Sequence, residues 1–426
     1  MPFPFQDPLE FLFNLERFGM KFGLEKIAAL CEALGHPERA FRSIVIAGTN
    51  GKGSVTVMVE TALRSAGHRT ARYTSPHLVR LEERFVIDGR DVETGALRDS
   101  VATVLAAVES LTHRGVFDTS PTFFECTTAA AFELFRRARV EIAVLEVGLG
   151  GRLDATNIAT PIATAITSID FDHQAQLGDT LEAIAREKAG IIKPGIPVVC
   201  GPLPPEADAV VREIGRARGA PVIESLDAVR IVRHAGDASV DVRSRTRSLE
   251  DVTMALGGRH QLDNASVAVA LLDELAAQGI TVPDGAVRTG LTQAEWPGRL
   301  ERFTRGGVEI LLDAAHNPAG ARALASHLND IGWVRVTLLF GAMRDKDVRQ
   351  MLEALAPLCE AIVCTTASSP RALSASDLVA SAGPLARTVE AIADPAVALQ
   401  RAVEMGRPVV AAGSIFLIGP LRDILR

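Results

Sequence analysis

Apolar residues return along this chain with two different periods. Short runs dense in β-branched and aliphatic residues, RSIVIAG (Arg42 to Gly48), EIAVLEVG (Glu141 to Gly148), ATAITSI (Ala163 to Ile169) and IPVVCG (Ile196 to Gly201), read as strands buried on both faces. Between them apolar positions recur at helical spacing: Ser54 to Ala66, stopped by Gly67, then Thr122 to Arg137, then Asp179 to Ala189. The last of these opens D-T-L-E, an Asp cap with Glu three residues on, a variant of the capping box. Such alternation predicts a mostly parallel sheet covered by helices on both faces.

The pattern changes between Val222 and Leu256. VRIVRH, SVDVRSR and DVTMAL are short strands with turns and little helix, read as a small antiparallel insertion at about 222–256. A helix from Asn264 to Gln278 follows, then WPGR (Trp296 to Arg299), whose Pro-Gly pair breaks the pattern. A second alternating series comes after it: VEILLD, a helix from Pro318, VRVTLLF, a helix near Val348 to Ala356, AIVCT and PVVAAGS. The expected fold class is therefore α/β. Residues 1–295 should form a phosphate-loop-type, mostly parallel sheet domain carrying the insertion. Residues 296–426 should form a smaller Rossmann-like α/β domain, with a hinge at 296–299.

Composition narrows the partners. The 45 Lys and Arg are outnumbered by 52 Asp and Glu, and no basic run stands out, which argues against nucleic acid. Phosphate recognition in so acidic a chain must come from backbone amides, a few cations and metal ions. The five cysteines are scattered without a C-x-x-C pair, so neither a disulfide framework nor a zinc site is expected. The start, MPFPFQDPLEFLFNLE, is broken by Pro, Asp and Glu and does not read as a signal peptide. No apolar run approaches the roughly 20 residues a membrane helix needs. A cytoplasmic location is expected.

The stretch AGTNGKGS carries the first chemistry. It lies between a strand and a helix, departing from G-x-x-x-x-G-K-[ST] only in Gly53 after the Lys. Gly48, Gly51 and Gly53 let backbone amides face a phosphate, and the following helix adds its positive end. Lys52 supplies a point charge, and Ser54 can cap the helix or face a metal.

With the extra glycine, this loop resembles that of the Mur-ligase superfamily, and within it the folylpolyglutamate synthase branch, in the bacterial form that also has dihydrofolate synthase activity. Further blocks agree in order: TSPHL (Thr74 to Leu78), LEVGLGGRLDATN (Leu145 to Asn157), DH followed by REKAGIIK (Asp172 to Lys193), PGRLE (Pro297 to Glu301), LDAAHNP (Leu312 to Pro318) and GAMRDKD (Gly341 to Asp347). The resemblance implies an ATP-dependent ligase acting on dihydropteroate, folates and L-glutamate. A substrate carboxylate takes the γ-phosphoryl group, and the amine of glutamate displaces phosphate from the acyl phosphate.

It also implies roles for residues. Asn50, Gly51, Lys52, Gly53 and Ser54 would bind ATP, with Asn264 near the base and Arg299 and Asp313 reaching the phosphates and ribose; His316 is placed in the same cleft. Ser75 and Glu146 would bind one Mg²⁺, and His173 and Lys188 a second, Lys188 as an anionic carbamate formed with CO₂. Lys52, His173 and Lys188 are the catalytic set. Thr74, Thr122, Phe123, Phe124, Glu125, Arg152, Leu153 and Asp154 would form the pterin pocket, with the two aromatics stacking on a flat ring. A monomer is implied. One departure follows His173: QAQLG stands where relatives typically carry a hydroxyl or Met residue and an aromatic.

Taken alone, several of these residues have plainer readings. Glu146 could be a salt-bridge partner, Ser75 an ordinary Ser-Pro turn, Arg299 a hinge ion pair, and Lys188 a cation at a helix end. A cell-wall amino-acid ligase of the same superfamily is disfavoured, because only about forty residues precede the loop, too few for its usual extra domain. A nucleotide switch without ligase activity would need neither paired metal ligands nor the second α/β domain.

Overall fold

The structure is a computed structural model describing residues 7–15, 23–234 and 239–426. The reading of the chain's start as too polar for a signal peptide falls partly on residues 1–6 and 16, which lie outside the described residues. Among the described residues no helix is long and apolar enough to cross a membrane.

Among the described residues eleven strands come first: β1 (Arg42–Ala47), β2 (Thr70–Tyr73), β3 (Phe85–Ile87), β4 (Arg90–Asp91), β5 (Ile142–Glu146), β6 (Pro161–Ile166), β7 (Val198–Cys200), β8 (Val222–Glu224), β9 (Val229–Arg233), β10 (Ser239–Ser244) and β11 (Ser248–Thr253). The first eight form one sheet in the order β4-β3-β2-β5-β1-β6-β7-β8. It is parallel from β2 to β8, while β3 and β4 add an antiparallel edge. Ile44, Val45 and Ile46 in β1 are fully buried, as expected of a strand covered on both faces. From β1 the chain moves outward to β2. It returns at β5 and then crosses β1 to reach β6. The reversal of direction therefore lies at β1, where an open α/β sheet leaves a crevice at its carboxyl edge.

Helices at Lys52–Ser65, Thr94–His113, Phe123–Arg137, Leu181–Lys188, Pro205–Ala217, Arg259–Ala277 and Asp284–Thr292 accompany this sheet. Lys52–Ser65 has every residue from Gly53 to Leu63 buried. A Cβ on Gly290 would stand 2.6 Å from the Met58 carbonyl oxygen, so glycine is what lets Asp284–Thr292 press onto that helix. Helix Phe123–Arg137 starts one residue later than expected, because Thr122 is its cap. Helix Leu181–Lys188 starts two residues late.

The antiparallel insertion is smaller than the sequence suggests. Val222–Glu224 is the outermost parallel strand of the main sheet, and only β9, β10 and β11 form the separate three-stranded sheet. Three residues carry too little pattern to tell a parallel edge strand from a hairpin strand.

The remaining strands are β12 (Glu301–Arg305), β13 (Val308–Leu312), β14 (Val336–Phe340), β15 (Cys359–Cys364), β16 (Thr388–Ala391) and β17 (Val409–Ala412). They form a sheet in the order β12-β13-β17-β14-β15-β16, parallel except for β12. Leu324, Leu338, Phe340, Met351 and Leu352 lie in its core.

Two compact units result, and a single cut at 295/296 does not describe them. The second unit comprises Glu295–Arg426 together with Asp170–Thr180 and Ala255–Leu262; the first holds Met1–Ile169, Leu181–Met254 and Asp263–Ala294. A linear hydropathy pattern cannot register segments that leave one unit and pack in another.

Candidate active site

In the first unit the loop after β1 is built around two glycines. Gly51 has φ +88° and caps helix Lys52–Ser65; a Cβ there would lie 2.2 Å from Asn264 Oδ1. Asn264 therefore closes on the loop. Gly48, at φ +150°, approaches Thr167 so closely that a Cβ would meet its Oγ1 at 2.0 Å. Thr167 Oγ1 and Ser168 Oγ, beyond β6, both donate to the Asn50 carbonyl, at 2.6 and 3.0 Å. The Asn50 amide donates back to Ser168 Oγ at 3.0 Å.

Two lysines converge on this loop. Lys52 Nζ donates to the carbonyls of Gly48 and Thr49, each at 3.0 Å. Lys188, buried at the end of its helix, donates to the same Gly48 carbonyl at 2.9 Å. Positive charge thus gathers beside a helix N-terminus, the local device an acidic chain needs to hold an anion. Ser54 is buried in the first turn of the helix.

Glu146 ends β5, the neighbour of β1, and Ser75 follows β2 on the other side of β5. Glu146 is 5% exposed, and its Oε2 accepts from the Ser75 amide at 3.2 Å. A carboxylate so deeply buried at the carboxyl edge of the sheet is costly without a counter-charge. Glu146 and the Ser75 hydroxyl are hard oxygen donors suited to Mg²⁺. His173 and Lys188 make a poorer cation pair, because an ammonium has no lone pair; Lys188 becomes a ligand only if carbamylated. Among the described residues no cluster of three His, Cys, Asp or Glu is arranged to hold a metal.

The residues expected around a pterin are brought together but are largely engaged with one another. Thr122 and Glu125 form a capping box: Thr122 Oγ1 accepts from the Glu125 amide, and Glu125 Oε2 accepts from the Thr122 amide at 2.7 Å. The Phe123 ring stacks with Phe13, centroids 6.3 Å apart, and carries the Arg84 guanidinium 5.1 Å away. Phe124 packs on Tyr73 and against Gly148, where a Cβ would come within 2.6 Å of its ring. Arg152 pairs with Glu187 at 2.9 Å. Thr74 is buried and donates its amide to the Arg84 carbonyl at 3.0 Å; Leu153 is half-buried in the turn that Asp154 closes.

Asp154 is tied to its own loop. Its Oδ2 accepts from the amides of Gly148 and Leu149 at 2.9 and 3.0 Å, and its Oδ1 from the Thr156 amide and hydroxyl at 3.0 and 2.5 Å. Four donors fill the acceptor sites of a carboxylate. Asp154 thereby builds its own loop. Its burial raises the carboxyl pKa against the pull of those four hydrogen bonds.

The second unit assembles its own group. Asp313, just past β13, accepts from the amides of Leu300 and Ala315 at 3.0 and 2.9 Å, which holds Leu300 in the left-handed region at φ +49°. Arg299 stands beside it and donates to the Gly298 carbonyl at 3.0 Å. His316 Nδ1–H donates to the Ala314 carbonyl at 2.9 Å. Burial, with the charge of Lys346, pushes His316 down to about 4, so it is neutral near pH 7. Its Nε2 lies 3.7 Å from Asp172. Asp172 also accepts from Lys346 Nζ at 2.5 Å and from Asn317 Nδ2 at 3.0 Å. His173, at φ +50°, turns Nε2 to within 3.5 Å of the same lysine. The Gln174–Leu177 turn that follows points Gln174 and Gln176 at solvent and buries Leu177, so the departure from relatives lies on an exposed side.

Comparison with known proteins gives this arrangement a family. The Mur ligase middle domain matches residues 96–272, and the Mur ligase glutamate ligase domain matches residues 298–415. A dihydrofolate synthase/folylpolyglutamate synthase of Bacillus subtilis (strain 168) is 36% identical over 384 residues, 88% of each chain. The chain belongs to the folylpolyglutamate/dihydrofolate synthase family of Mur ligases. Its fold agrees with that of E. coli FolC in complex with DHPP and ADP, at a TM-score of 0.88 and 29% identity over 100% of this chain and 99% of that one. It agrees also with a bifunctional folylpolyglutamate synthase/dihydrofolate synthase with Mn, AMPPNP and L-glutamate bound: TM-score 0.86, 31% identity, 99% and 98% covered.

Several residues of this family member escaped the sequence reading. Lys346 was visible only as part of GAMRDKD, with nothing to tie it to Asp172, 174 positions away. Arg84 donates through Nε to His77 Nδ1 at 2.9 Å. Burial and that guanidinium push His77 down to about 4, fixing it as a neutral acceptor at Nδ1. Tyr73, the chain's one tyrosine, is fully buried with its hydroxyl 2.8 Å from Thr127 Oγ1. No local signal separates such residues from ordinary surface Arg, His and Lys.

Proposed function

We propose that this chain joins L-glutamate to dihydropteroate and to folylpolyglutamates at the expense of ATP, through an acyl phosphate. One observation carries the reading: around the switch point at β1, the glycine loop, Lys52, Lys188 and the buried Glu146 with Ser75 all lie at the carboxyl ends of adjacent strands. Phosphoryl transfer asks the protein chiefly for position and charge neutralisation. Loop amides and the helix end hold the phosphates, and Lys52 turns from the carbonyls of Gly48 and Thr49 to the outer phosphoryl oxygens. Gly51 keeps the room that Asn264 needs beside the base. Glu146 and Ser75 would hold Mg²⁺, which supplies Lewis-acid neutralisation of phosphate charge when bound. Arg299 and Asp313 are assigned to the phosphates and ribose, and His316, neutral at working pH, to the same cleft.

Thr74, Thr122, Phe123, Phe124, Glu125, Arg152, Leu153 and Asp154 are assigned to the pterin side. His173 and Lys188 are assigned to a second cation, with Lys188 as its carbamate. That last assignment predicts activity dependent on bicarbonate and a carbamate ¹³C resonance lost in Lys188→Ala. We read the protein as a cytoplasmic monomer acting on small molecules; its mass in size-exclusion chromatography with light scattering checks the oligomeric state.

The test of function is mass-resolved product analysis with Mg-ATP, L-glutamate and bicarbonate, one tube with dihydropteroate and one with tetrahydrofolate. Dihydrofolate in the first and longer tails in the second are expected. Product in the second alone would remove the dihydrofolate synthase activity. Product in neither would refute the ligase assignment.

A further inference from the structure

The strands that carry the phosphate loop have a second feature at their opposite ends. A cavity of about 320 Å³ is lined by Ala28, Cys31, His36, Glu38, Arg39, Phe41, Ile158 and Thr160. Phe41 immediately precedes β1 and Thr160 immediately precedes β6. The cavity therefore lies at the amino ends of β1 and β6, about 20 Å along the strands from the loop at their carboxyl ends, and is not part of the site described above.

Its polar lining is incomplete. Glu38 is 6% exposed, and its Oε1 pairs with His36 Nδ1 at 3.0 Å and Arg39 Nε at 3.1 Å. Its Oε2 is buried and has no hydrogen-bond partner. Such an oxygen calls for a donor. The Cys31 thiol beside it is pushed well above its ordinary range by burial, by the Glu38 charge and by a hydrogen bond with Glu38, and an S–H is only a weak donor that a stronger one can replace. Arg39, 70% exposed at its side chain, spends Nε on Glu38 and lines the cavity. The rest of the lining offers the apolar surfaces of Ala28, Phe41 and Ile158.

A buried acceptor, a guanidinium and apolar surfaces lining one cavity match a small zwitterion. We propose that this cavity binds an α-amino acid with an apolar side chain, its ammonium on Glu38 and its carboxylate on Arg39. The inference is independent of the ligase reading.

The test is calorimetric titration of the purified full chain, without nucleotide or folate, with L-leucine and L-phenylalanine as probes. 4-Methylpentanoate lacks the ammonium and 3-methylbutylamine lacks the carboxylate; each is expected to bind at least about tenfold more weakly. Glu38→Gln should weaken L-leucine about tenfold or more. Ala28→Leu fills the cavity from a helix that favours leucine, so it should abolish binding while leaving ligase activity unchanged, and it decides the matter if Glu38→Gln fails to fold. No saturable binding of either probe, equal binding of the amine alone, or undiminished binding by Ala28→Leu would each overturn the proposal.

Discussion

Replacing Lys346 with Met isolates one buried charge pair of the second unit. Lys346 and Asp172 are each 8% exposed at the side chain, and their charged atoms lie 2.5 Å apart. Met keeps most of the apolar stem and removes the charge and its donors. Asp172 then retains the Asn317 amide at 3.0 Å but loses the ammonium that offsets its burial. Breaking a buried pair from one side costs about 3–5 kcal/mol. For a unit of roughly 150 residues, each kcal/mol is worth about 2–4 °C, so its transition should fall by about 6–20 °C. Asp172→Asn alone strands the ammonium and should also destabilise. The double variant strands neither charge and should be more stable than the sum of the two losses predicts, by about 2 kcal/mol or more. Lys346 holds Asp172 below the usual carboxylate range against the effect of burial. A depressed carboxylate gives stability that is present above its unfolded pKa of about 3.9 and is lost as pH falls through the folded value. The gap between wild type and Lys346→Met should therefore narrow below about pH 4. Urea and thermal unfolding of the four proteins measure all of this. A single variant within 1 kcal/mol of wild type, or strictly additive losses, would refute the reasoning.

Three further outcomes follow from the first unit. Gly51→Ala puts a Cβ 2.2 Å from Asn264 Oδ1 at φ +88°; left-handed backbone alone costs about 1–2 kcal/mol, so ATP binding should weaken about 5- to 30-fold or more in fluorescence titration. Asp154→Ala leaves the amides of Gly148, Leu149 and Thr156 without their acceptor, at about 1–3 kcal/mol each if they stay buried, and should unfold at clearly lower urea, whereas Asp154→Asn keeps part of the network and should lose less. His77 is held neutral, so the fold binds fewer protons than the unfolded chain between about pH 4 and 6.5 and loses stability as pH drops through that window; Arg84→Met should move the His77 NMR titration upward.

What the sequence by itself determined was local and periodic. The parallel strands were legible in Arg42–Ala47 and Ile142–Glu146 because burial on both faces forces a continuous apolar run. The phosphate loop was legible because Gly48, Gly51 and Lys52 must follow one another between a strand and a helix. Tertiary structure decided whatever depended on distant residues meeting. Asp154 gains four donors from its own loop, which its place in the sequence did not announce. Val222–Glu224 looked like part of a hairpin until it docked beside β7. Asp172 acquires its chemistry from Lys346 and His316, and the Asp170–Thr180 segment joins a unit whose bulk starts more than a hundred residues later. Hydropathy and spacing record what a residue needs nearby in the chain, whereas electrostatics and hydrogen bonding depend on neighbours that only folding supplies.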